Sequence, residues 1–127
     1  LEAELAAIGT AAGPARQQLA LMLERLTAAL EQTRTLGLLD EERPGKAGNW
    51  RALYRARRRA ILAALRAVIV AGCDAGEFSP VDLDVTPALL IGMIRGGLAS
   101  APQASPDRVA SAAIALVLEA PLAARPP

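Results

Sequence analysis

Gly72-Cys73-Asp74-Ala75-Gly76-Glu77-Phe78 closes a long arginine-rich segment. It hands over, through Asp82 and Asp84, to the glycine-punctuated apolar run Pro87-Ala88-Leu89-Leu90-Ile91-Gly92-Met93-Ile94-Arg95-Gly96-Gly97. Gly76 stands where a helix end takes up left-handed backbone, a conformation glycine adopts without a Cβ penalty. Phe78, just past that turn, can fold back onto the core. The local reading is a helix, a tight turn, an acidic cap and a second helix.

Upstream of the turn, Asn49 is a good N-cap for a helix that extends to about Ala75. Its inner face would be Trp50, Leu53, Tyr54, Ile61, Leu65, Val68 and Ile69. Downstream, Asp84 is the predicted cap of a helix reaching about Ala99, in which Pro87 is tolerable because the first turn makes no intrahelical N–H bond. Ser105-Pro106-Asp107 starts another helix, with Ser105 capping and Pro106 at the first helical position, and Pro121 stops it.

Toward the other terminus, Leu19, Met22, Leu23, Leu26 and Leu30 follow the i, i+3, i+4 pattern of a buried stripe. They predict a helix from about Ala15 to Leu36 closed by Gly37, with Pro14 at its start and a break over Gly9 to Pro14. Residues 37–48 mix charge with glycine and proline and read as an exposed connection. Leu1, Leu5 and Ile8 stand at i, i+4 and i+7 with no capping residue ahead, so the chain is expected to begin inside a helix. No segment alternates with period two. The expected fold is all-α, one domain over 1–127 with about five helices.

Composition narrows the function. A chain of 127 residues can bury a core without staples. Its 53% hydrophobic content includes only 2% aromatics, so the core is built from Ala, Leu, Ile and Val. One cysteine and no histidine exclude an internal disulfide and remove common zinc ligands, so no metal or cofactor is expected and a reducing, cytoplasmic setting is. The longest apolar run, Ala60 to Cys73, is interrupted by Arg66 and is shorter than the roughly 20 residues a membrane span needs. The formal charge of +1 exerts no global pull toward nucleic acid.

Several features invite a chemical role and have a plainer one. Arg51, Arg55, Arg57, Arg58, Arg59 and Arg66 share a segment without acidic residues, yet they cover a wide arc of a helix with no base-reading or stacking residues beside them. A solvated or salt-bridged face is the better reading, and no sequence-specific DNA affinity is expected of this chain. Cys73 near a helix end sits in partial negative charge beside Asp74, which disfavours a reactive thiolate. Asp74, Glu77, Asp82 and Asp84 are explained by a turn and a cap instead of a metal loop. Tyr54, Arg57, Arg58 and Thr27 form no familiar catalytic constellation, so no enzyme is expected.

Gly92-x-x-x-Gly96-Gly97 has no such plain account. Each mid-helix glycine costs about 1 kcal/mol relative to alanine, and a close approach of another backbone is the natural reason for three of them. The last helix carries Val109, Ala112, Ala113, Leu116, Val117 and Ala120 on one side, with Ile114 and Leu118 on another, and so needs cover on two sides.

The order of these parts resembles the C-terminal ligand-binding and dimerisation domain of TetR-type transcriptional regulators. The likeness is strongest over residues 50–99, with Gly13-Pro14 opening a Leu-rich helix as a further match. The resemblance implies that the last two helices pair with those of a second copy in a four-helix, homodimeric interface. It also implies an inducer cavity in each subunit and a preceding helix-turn-helix domain that this chain lacks, residues 1–8 being the remnant of the helix leading from it. Operator DNA would then be bound only through that domain, and the regulator would be a repressor.

The expected contacts at the homodimer interface are Gly92, Met93, Gly96, Val109, Ala113, Leu116 and Val117. The expected lining of a mostly apolar ligand cavity between the second, third and fourth helices comes from Leu19, Met22, Leu23, Leu26, Trp50, Tyr54, Leu62, Leu90 and Met93, with Arg58 selecting an anionic head group if it turns inward. The other reading of the same residues is a small homodimeric interaction module whose core is simply filled.

Overall fold

The computed structural model describes residues 1–40 and 47–119, with side chains described at 1–32 and 55–119. Among these residues all regular structure is helical: α1 (Glu2–Thr10), α2 (Ala15–Asp40), α3 (Ala47–Asp74), α4 (Thr86–Ser100) and α5 (Pro106–Ile114), which runs on as a π-helical segment, Ala115–Glu119. The central helix is α2, which packs against α1, α3, α4 and α5, while α1 also lies on α3 and α4 on both α3 and α5.

The core forms where the apolar stripes of these helices converge. Leu5 of α1, Met22, Leu23 and Leu26 of α2, Leu65 of α3 and Ile94 of α4 are fully buried. Leu19, Val68, Ile69, Leu90, Ile91, Leu98, Val109 and Ala113 extend the same cluster. Thr27 is the buried polar side chain among them, and its hydroxyl donates to the Leu23 carbonyl at 2.6 Å. That bond satisfies the group within its own helix and removes the cost of an unpaired buried hydroxyl.

The turn after α3 is built as its residues require. Gly76 has φ 76°, its N–H donates to Cys73 O at 3.1 Å, and the Glu77 N–H reaches Gly72 O at 2.8 Å. These are the two bonds of a Schellman motif, and they satisfy carbonyls that the helix end leaves orphaned. Phe78 then folds back over Gly72, where an added Cβ would lie 2.2 Å from the ring. At α5, the Ser105 hydroxyl accepts from the Arg108 N–H at 3.2 Å and Pro106 opens the helix, as read from the sequence.

Three helix boundaries differ from the sequence reading. Gly37 does not close α2, which continues to Asp40. A single glycine weakens a helix by about 1 kcal/mol without ending it when leucines, good helix formers, flank it. Asn49 is not the cap of α3, because the helix already begins at Ala47. The residues between these helices, 41–46, and the predicted stop at Pro121 lie outside the described residues.

The third difference concerns α4. Its N-cap position, Val85, has no side-chain cap bond; the turn that leads into the helix is held by Asp82, whose Oδ1 accepts from the N–H groups of both Asp84 and Val85 at 2.9 Å, while the Asp82 carbonyl accepts from Thr86 N–H at 3.0 Å. Asp84 instead faces Arg66 across 3.7 Å at an exposed site. Asp82→Ala is therefore expected to cost about 0.5–2 kcal/mol of stability, and Asp84→Ala to stay within about 1 kcal/mol of the parent. Thermal melts of the two variants check this, and equal losses would contradict the assignment.

Candidate functional site: an end cleft and an outer glycine face

Among the described residues, two recesses flank α4. The first is a cleft of about 280 Å³ at one end of the bundle, lined by Arg16 and Leu19 of α2, Ile69 of α3, Glu77, Phe78, Ser79 and Val81 of the connection, Thr86 and Leu90 of α4, and Val117 and Leu118 of the π-helical segment. Its walls are mostly apolar. The volume is close to the lower end of the range, about 300–1,000 Å³, typical of small-molecule pockets.

Two charged groups organise the cleft. The Glu77 carboxylate accepts from the backbone N–H groups that open α2, Oε2 from Ala15 at 2.9 Å and Oε1 from Arg16 at 3.3 Å. A carboxylate is well placed there, since the first N–H groups of a helix are unpaired and carry partial positive charge. The Arg16 guanidinium donates through Nη2 to the Leu118 carbonyl, in the π-helical segment. One residue pair thus ties the start of α2 to the turn after α3, and the other ties it to the end of the chain's last described helix.

The expected ligand-lining residues divide among several places. Leu19 and Leu90 line the cleft. Met22, Leu23 and Leu26 are fully buried inside the core, and Leu62 is half-buried beside it. Met93 belongs to the second recess, described below. Arg58 is half-buried on α3 and lines neither recess, so the cation at the cleft is Arg16. The side chains of Trp50 and Tyr54 lie outside the described residues. Arg16, Phe78, Val81 and Leu118 were not singled out for the cleft in the sequence, because they reach it from separate elements joined only by packing.

The second recess, also about 280 Å³, lies on the outer surface between α4 and α5, bounded by Met93, Gly97, Ala101, Ala104, Arg108, Val109, Ala112, Ala113 and Leu116. Of the expected interface residues, Val109 and Ala113 are buried in the chain's own core and form its floor. Val117 is turned to the end cleft. Leu116, 46% exposed, stands on the outer surface.

The glycines separate by role. Gly97 faces inward, where a Cβ would lie 3.0 Å from Val109 Cγ1, so it allows the close crossing of α4 and α5 within the chain. Among the described residues, nothing lies within 4 Å of the Cβ positions of Gly92 and Gly96. They continue a stripe with Val85 and Leu89, which are 48% and 64% exposed. The spacing 85, 89, 92, 96 places all four on one face of a helix.

This arrangement, from the Leu-rich α2 through the Gly-Glu-Phe turn to the glycine-marked α4, coincides with a known family pattern. Residues 12–97 match the family model described as tetracyclin repressor-like, C-terminal domain. The match spans more than half of the chain. The chain belongs to this TetR-like family. No curated protein and no solved structure matches it significantly.

A TetR-like C-terminal domain is the regulatory part of a transcriptional regulator, a class that generally dimerises and binds small-molecule effectors and is not typically catalytic. The arginines of α3 suit a structural place in such a domain. Arg57 lies 3.8 Å from Glu2 of α1, and Arg66 pairs with Asp84. Cys73 packs half-buried against the core, its sulfur 3.7 Å from the Ser79 carbonyl. No helix among the described residues is long and apolar enough to cross a membrane.

Proposed function

We propose that this chain is the effector-sensing and dimerising part of a TetR-like repressor. The observation that carries the reading is the outer stripe of α4, where Gly92 and Gly96 meet none of the described residues within 4 Å, beside the exposed Val85 and Leu89. Glycines that weaken a helix while touching none of the described residues of their own chain are accounted for by a second copy crossing there. The adjoining Ala112 and Leu116 of the last helix continue the apolar surface. Two such faces related by a two-fold axis form a four-helix interface, expected to bury on the order of 2,000 Å² or more.

The effector binds in the end cleft, and its body is apolar to match the walls. Operator DNA is bound through a helix-turn-helix domain that precedes α1 in the regulator. An effector acts by binding one arrangement of the domain more tightly than the other, and α1 relays the difference.

Sedimentation of the chain at micromolar concentration, paired with thermal melts across a panel of small hydrophobic compounds, tests both parts. A dimer is expected, together with stabilisation by a subset of compounds. The same shift should vanish in Val81→Trp, which fills the cleft from an exposed position. A monomer would remove the dimerising role. A dimer that no compound stabilises would leave only a helical interaction module.

A further inference from the structure

We infer that the effector of the end cleft is a small amphipathic monocarboxylate, held by Arg16 in exchange for its bond to the Leu118 carbonyl. The inference rests on the effector-binding reading above and specifies the chemistry of that site. The apolar body would lie against Leu19, Ile69, Phe78, Val81 and Leu90, all of which line the cleft.

The head group follows from the charges. Arg16 is the exposed cation in the cleft lining, and its Nη2 donates to a neutral carbonyl. A guanidinium has five N–H donors in a planar fork that matches a carboxylate, and charge-assisted bonds of this kind are roughly twice as strong as neutral ones. A carboxylate therefore outcompetes the Leu118 carbonyl for the same donors. Glu77 stands on the same wall, but both its oxygens already accept from the N–H groups that open α2. Its charge is directed to the positive end of that helix.

With the Glu77 charge met by the N–H groups that open α2, the one cation left in the lining balances a monoanion and not a dianion. A phosphate ester would bring a second negative charge next to Glu77 with no further lysine or arginine in the lining to meet it. Ser79 and Thr86 add hydroxyl-bearing side chains to the lining and suit the second carboxylate oxygen. A cleft of about 280 Å³ admits a short body, such as a medium-length alkyl chain or one ring.

The exchange also gives binding a mechanical consequence. Arg16 and Leu118 are 102 residues apart in the chain, and their bond joins the start of α2 to the π-helical segment at the cleft. A carboxylate that takes over the guanidinium releases that segment, so the bound and free states differ at the end of the helix next to the outer face.

Octanoate, 1-octanol and octylamine share a body and differ in head group, so calorimetric titration of the chain with each isolates the role of Arg16. Octanoate is expected to bind tightest and octylamine weakest. Arg16→Gln should weaken octanoate about tenfold or more and leave octanol unchanged. Arg16→Lys, which keeps the charge, should retain the preference for octanoate over octanol. Equal binding of octanoate and octanol to the parent chain would overturn the inference while leaving a hydrophobic effector site in place. An equal loss of both ligands in Arg16→Gln would also overturn it, since Arg16 would then matter only for the fold. Binding of none of the three, nor of any other hydrophobic compound, would remove the effector site itself.

Discussion

Gly96→Leu is expected to convert the proposed dimer into folded, helical monomers. Among the described residues nothing lies within 4 Å of a Cβ at this position, so the single chain has room for the new side chain, and replacing a mid-helix glycine by leucine favours the helix by up to about 1 kcal/mol. At a crossing of two copies the same side chain sits where backbones must approach. Overpacking costs about 1–3 kcal/mol at each copy, and two copies raise the dissociation constant by roughly 30-fold to about 20,000-fold. Sedimentation should show the shift while circular dichroism shows unchanged helix content.

Gly97→Leu is the contrast. Its side chain would drive into Val109 of the same chain, from which an added Cβ already lies 3.0 Å. That variant should lose folding stability first. Gly96→Leu sedimenting as the parent does, at concentrations near the dissociation constant, would sink the proposed interface.

Gly72→Val is expected to be the most damaging single change at the turn, with a loss of about 2–4 kcal/mol. The Phe78 ring occupies the space of the missing side chain, with Cδ2 and Cε2 at 2.2 and 2.3 Å from the Cβ position, and Ala15 Cβ is close behind at 3.1 Å. The substitution evicts the ring and, with it, one wall of the end cleft. In a chain of this size the melting temperature should fall by about 5–15 °C.

A double-mutant cycle separates this from a general intolerance of helix α3 to valine. In a Phe78→Ala background Gly72→Val should cost much less, because the ring it displaces is gone. Additive costs would show that the ring is not what the glycine accommodates. Ligand binding provides a second readout, since both single variants remove the ring from the cleft.

The helical fold, the order of its helices and the kind of domain they form could be read along the chain. Gly76 could be recognised as a left-handed cap, Ser105-Pro106 as a helix start, and Leu19, Met22, Leu23 and Leu26 as a buried stripe. Each of these signals acts within about one or two turns of the backbone, so a few adjacent residues contain it. Where a neighbour offered two equivalent cues, the local reading chose wrongly. Asp82 and Asp84 both suit a cap, and only the path of the turn decides that Asp82 accepts the two N–H bonds.

Partners distant in the chain were settled by packing. Glu77 caps α2 across 62 residues and Arg16 reaches Leu118 across 102, so neither the cap nor the cation of the cleft has a local sequence signature. The same holds for the glycines. Gly92, Gly96 and Gly97 are alike in sequence, yet the rotation of α4 against α5 turns Gly97 toward Val109 and leaves Gly92 and Gly96 open to the outside. The sequence determines that a close approach must occur on this helix. Only the tertiary structure decides which glycine serves the chain's own core and which face is left uncovered, because helix rotation is set by how all the side chains of the core fit together.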